Sequence, residues 1–98
     1  MTDDDMEVQS FDSVWDAIED TPEEAANMRL RSELLTAVEQ EVRSWGLTQA
    51  KAAERLGVTQ PRLNDLLRGK IAKFSLDALV DLSARAGLAV KLGVERAA

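Results

Sequence analysis

The stretch LTQAKAAERLGVTQPRLNDLLRGK, residues 47–70, decides how this chain is read. Leu47, Ala50, Ala53 and Leu56 form one apolar stripe at helical spacing, and Val58, Leu63, Leu66 and Leu67 form a second beyond it. Gly57 lies between the stripes, where a chain leaving a helix often needs a positive φ. Thr48 and Thr59 precede the two helices as candidate N-caps, because a threonine oxygen can accept from an orphan N–H of a first helical turn. Pro61 falls in the first turn of the second helix, where its missing N–H costs nothing. The spacing predicts two short helices at about 49–56 and 60–68, joined by a tight turn, with Gly69 closing the second.

Outside the stripes the second helix carries Gln60, Arg62, Asn64, Asp65 and Arg68. These side chains can donate to or accept from base edges and phosphates, and a helix of this size fits a DNA major groove. An ordinary helical hairpin with a solvated face would look equally polar. Caps, turn, spacing and surface chemistry together favour DNA.

Ninety-eight residues make one small domain with a tail. The chain has no cysteine, histidine or tyrosine. Zinc-thiolate sites are therefore excluded, and the usual metal ligand and general base are missing. No enzyme activity, cofactor, metal or small-molecule substrate is expected. No apolar run approaches a membrane span, and the opening MTDDDMEV has the wrong charge for a secretory signal. A cytoplasmic, nucleoid-associated location is the expectation.

The formal charge of −6 argues against nucleic acid until its distribution is examined. Residues 1–26 hold ten acids and no base, a sum of −10; residues 27–98 hold eight acids and twelve bases, a sum of +4. The expected organisation is an acidic, partly disordered arm (1–26), a helix-turn-helix DNA-binding domain (27–87) and a C-terminal dimerisation strand with its tail (88–98). Within the arm, SVWDAIED (13–20) has the pattern of a short helix, with Phe11, Trp15 and Ile18 as apolar anchors seeking a surface.

Thr21, Pro22 and Glu24 mark a helix start. That helix should run to about Trp45 on Leu30, Leu34, Leu35, Val38, Val42 and Trp45, and end at Gly46. Residues 70–74 read as a short basic loop. Ser75 should cap a last helix at about 76–86, with Leu76, Leu79, Val80 and either Ser83 or Ala86 inward, ending at Gly87. Then Leu88, Val90, Leu92 and Val94 alternate with other residues at period two, a strand signal. A lone strand leaves its N–H and C=O groups unpaired, so the expectation is pairing with a second copy across a two-fold axis. A frayed tail or a segment lying on the core are the alternatives.

The motif resembles the lambda-repressor/Cro-like, or XRE-type, helix-turn-helix family. Thr48, Gln49, Ala53, the run from Leu56 through Gly57, Val58, Thr59 and Gln60 to Pro61, then Leu63, Asn64, Leu66, Gly69 and Lys70 carry the resemblance. The whole layout is similar to small HigA-type antitoxins, many of which are encoded beside a RelE/HigB-like mRNA-cleaving toxin. The resemblance implies an all-α, five-helix domain whose C-terminal strand pairs in a homodimer. It also implies base reading by Gln60, Pro61, Arg62 and Asp65, with Pro61 departing from the usual polar residue. Phosphate contacts are implied for Gln49, Asn64, Arg68, Lys70 and Lys73, and Gln49 would also brace Gln60.

Sequence and resemblance together point to an autorepressing antitoxin bound to double-stranded DNA at a palindromic operator. Leu88, Val90, Leu92 and Val94 would join the homodimer, and Phe11, Trp15 and Ile18 would meet a basic RelE/HigB-like toxin. A stand-alone XRE-type regulator without a toxin fits the same DNA face. A protein-interaction module that no longer touches DNA is a third reading.

Overall fold

The computed structural model describes residues 21–97. Among them the chain forms four α-helices: α1 (Pro22–Ser44), α2 (Gln49–Leu56), α3 (Gln60–Leu67) and α4 (Leu76–Arg85). A single 3₁₀ turn, Ile71–Lys73, lies between α3 and α4. The fifth helix expected at 13–20 lies outside the described residues.

Two compact units divide between Leu30 and Arg31. In the first, the described residues are the opening turns of α1. The Thr21 hydroxyl accepts from the Glu24 N–H at 3.1 Å, and Glu23 and Glu24 sit in the first turn, where the helix dipole favours negative charge. Leu30, expected to face inward, is 46% exposed.

The second unit holds the core. Leu35, Val38 and Val42 of α1 supply one side at helical spacing. Ala52, Ala53 and Leu56 of α2, Leu63 and Leu66 of α3, and Leu79, Leu82 and Ala86 at α4 complete it with Phe74. The inward face of α2 is therefore the 52, 53, 56 set. Leu47 precedes the Thr48 cap and lies outside the helix, and Ala50 falls on the outer face of α2; both are exposed. In α4 the inward set is Leu79, Leu82 and Ser83, while Val80 points out. The buried Ser83 hydroxyl donates to the Leu79 carbonyl at 2.8 Å, which removes the cost of burying it.

Phe74, read from sequence as part of a loop, is among the largest fully buried side chains. It occupies the position before the Ser75 cap, and Leu79 is the fourth residue of the helix that follows. Those are the two positions of a hydrophobic staple, and both belong to the core cluster.

The C-terminal strand is not present: residues 88–97 carry no regular secondary structure, and no strand occurs among the described residues. Leu88 donates its N–H to the Ser83 carbonyl at 2.9 Å while Gly87 donates to Ala84. This is a Schellman closure of α4, so the first member of the period-two pattern is the end of a helix, packed on its core. The rest of the pattern, Val90, Leu92 and Val94, is exposed, at 50%, 86% and 85%. A ladder needs a second edge, and the described chain contains none.

Candidate nucleic-acid interface

The interface begins with local chemistry. The Thr48 hydroxyl accepts from the Lys51 N–H at 3.3 Å, and the Thr59 hydroxyl from the Arg62 N–H at 3.2 Å. Between these caps Gly57 adopts φ 80°, a left-handed conformation that side chains resist. Its N–H reaches the Ala53 and Glu54 carbonyls, and Val58 donates to Ala53 at 3.0 Å. The result is helix, tight turn, helix, as the spacing predicts, with α3 starting at Gln60 and Pro61 in its first turn.

Gln60, Pro61, Asn64 and Arg68 recur at intervals that place them on one face at 3.6 residues per turn. Gln60, Pro61 and Arg68 are exposed and Asn64 is half-buried. Among the described residues, none of the Gln60, Asn64 and Arg68 side chains has a hydrogen-bond or ion-pair partner. Gln49 is exposed at the start of α2 and is likewise unpartnered, so the Gln49–Gln60 brace implied by the resemblance is not formed here.

Other candidates are engaged. The Arg62 guanidinium donates to the Lys73 carbonyl at 2.8 Å and lies 4.0 Å from the centroid of the Phe74 ring. It pins the 3₁₀ turn to α3. Asp65 faces two lysines: its Oδ1 is 3.6 Å from Lys70 Nζ and its Oδ2 is 3.6 Å from Lys73 Nζ. The structure thus gathers Arg62, Asp65, Lys70 and Lys73 where α3 meets the 3₁₀ turn, while Gln60, Pro61, Asn64 and Arg68 stay on its open face.

Sequence reasoning missed the arginines that frame α3. Arg43 of α1 donates to the Leu67 carbonyl at 3.0 Å, placing a cation on the negative end of the α3 dipole, and also pairs with Glu39. Arg85 of α4 donates to the Gly57 carbonyl at 2.8 Å, just ahead of α3. Arg31 reaches the Ile71 and Phe74 carbonyls at 3.4 Å. Arg55 stacks 4.1 Å from the centroid of Trp45, whose indole N–H donates to Glu41 at 3.2 Å. Only the Glu39–Arg43 and Glu41–Trp45 pairs, each four residues apart along α1 and its closing turn, have a signal visible in sequence.

Among the described residues no group of three or more acidic, cysteine or histidine side chains is placed to hold a metal, and no helix is long and apolar enough to cross a membrane.

Two capped helices about a left-handed glycine turn, the second with an open polar face, define a helix-turn-helix DNA-binding protein. Residues 17–95 match the model of a helix-turn-helix domain family, and the chain belongs to that family. No curated protein matches the chain.

Proposed function

We propose that the chain is a sequence-specific repressor that binds a palindromic operator as a homodimer and is the antitoxin of a toxin–antitoxin pair. The observation that carries the DNA reading is the open face of α3, where Gln60, Asn64 and Arg68 are unpartnered beside exposed Pro61. Gln60 pairs with an adenine edge through its amide, and Pro61 touches a thymine methyl. Arg68, Lys70, Lys73 and Gln49 hold phosphates and set the register. A body of only +4 makes few such contacts, so affinity leans on two copies reading half-sites about 34 Å apart. Exposed Val90, Leu92 and Val94 are the apolar surface we assign to that pairing.

The test is a binding titration on operator duplexes varied one base pair at a time. Gln60→Ala should erase about 1–3 kcal/mol of discrimination at a single position and leave the others intact. Unchanged discrimination everywhere would remove α3 from the major groove.

The antitoxin role draws on the −10 of residues 1–26, with Phe11, Trp15 and Ile18 as anchors, because a ribonuclease that grips mRNA is basic. Those three side chains lie outside the described residues. Deleting residues 1–26 should spare operator binding and release the toxin. Retained neutralisation would move the toxin contact to another surface. A stand-alone regulator would bind DNA in the same way and would have no toxin to release.

A further inference from the structure

The closing turn of α3 has an unusual occupant. Lys70 donates its N–H to the Asp65 carbonyl at 3.1 Å, and Gly69, at φ 72°, donates to Leu66 at 3.0 Å. This is a Schellman closure, which sets the residue after the glycine over the residue five before it, normally as an apolar contact. Here those two positions hold Lys70 and Asp65. The backbone therefore delivers a lysine to a carboxylate. Arg62 then brings a second lysine to the other carboxylate oxygen by fastening the Lys73 carbonyl at 2.8 Å. The Asp65 side chain is 20% exposed, and the two lysines are 41% and 57% exposed.

We propose that Asp65 is a positioning residue, not a base reader: its carboxylate occupies Lys70 and Lys73 in the free protein, in the place that DNA phosphates take on binding. The proposal rests on the reading of this face as the DNA interface. Each lysine trades a carboxylate for a phosphate, and the Asp65 charge remains in the complex. Asp65 thereby lowers the phosphate-driven part of the affinity and leaves the base preference to Gln60 and its neighbours. The two roles separate in measurement. A base reader changes operator binding alone; a counterweight changes binding to every sequence by one factor.

The experiment titrates full-length protein against operator and random duplexes across a salt series. Asp65→Asn should tighten both by the same factor, about three- to tenfold per subunit at low salt, the range expected of two exposed ion pairs. The gain should shrink as salt rises, because the same two lysines meet the phosphates in both proteins and only the screened opposition of the Asp65 carboxylate is removed. Asp65→Ala should reproduce both effects, and circular dichroism should show each variant folded. In a Lys70→Ala, Lys73→Ala background the Asp65 effect should vanish.

Tightening that persists undiminished in that background would reduce Asp65 to net charge and overturn the proposal. Weakened operator binding with random DNA unchanged would make Asp65 a base reader and overturn it equally. If the lysine pair can be removed with no loss of affinity for any DNA, the phosphate clamp itself fails. That result is distinct from a failure of Asp65 alone.

Discussion

At the end of α2, Val58 donates to Ala53 and Gly57 to Glu54; at the end of α3, Lys70 donates to Asp65 and Gly69 to Leu66. Both glycines are left-handed, at φ 80° and 72°. One backbone device thus closes both helices of the motif. What it holds differs. After α2 it lays Val58 against the core that holds buried Ala53. After α3 it lays a lysine on an aspartate at the surface. The same local rule builds packing on one side of α3 and positions charge on the other. The surroundings decide which: Arg85 bonds the carbonyl of Gly57, whereas nothing lies within 4 Å of a side chain built on Gly69.

The sharpest way to break the comparison is to substitute both glycines. Gly57→Ala should cost about 1–2 kcal/mol in left-handed strain. It should cost more on top, because the new Cβ would meet the Arg85 guanidinium at 2.8 Å and displace it from the turn. Gly69→Ala should show the strain alone. At about 4–8 °C per kcal/mol for a domain of this size, thermal unfolding separates the two. Equal losses would mean that Arg85 contributes nothing to the turn.

These closures also mark how far the sequence could be read. Thr21, Thr48, Thr59 and Ser75 each cap the helix they precede, and Gly57 and Gly69 close theirs, because a cap is settled within four or five residues of chain. The same locality misled at the C-terminus. Leu88 looked like the first residue of a strand, and its N–H belongs to a helix closure. Phe74 was hidden differently: it ends a short segment holding Lys70 and Lys73, and only its place before Ser75 betrays a staple. The open polar face of α3 was legible from spacing. The arginine contacts to the end of α3 and to the turns on either side of it were not, since Arg43 and Leu67, Arg85 and Gly57, and Arg31 and Ile71 are 24, 28 and 40 residues apart. No periodicity carries such pairings. Gln49 and Gln60 show the converse limit, for a resemblance implied a contact that these side chains do not make.

A milder test places the surface chemistry of one closure in the other. Val58→Lys puts an ammonium at the edge of the core beside Ala53. Its stem can lie along the apolar surface while the charge reaches water. The expected loss is about 1 kcal/mol, the ordinary size of a point substitution that disturbs packing. A loss no larger than that of an exposed α1 substitution would show that Val58 does not help to set the turn.

The reverse exchange should be nearly silent in stability and plain in binding. Lys70→Val gives the α3 closure the apolar residue that such closures usually carry, and it removes one exposed ion pair worth about 0–1 kcal/mol. The unfolding free energy should therefore move by no more than about 0.5 kcal/mol. Affinity for operator and for random DNA should fall together, and the salt slope should shrink by about 0.9 per subunit. A clear stabilisation with unchanged binding would say that the lysine has no phosphate to find. A clear destabilisation would say that the pair with Asp65 closes the helix as Val58 closes α2. Only the combination of unchanged stability and uniformly weaker binding fits a closure that serves to aim a charge.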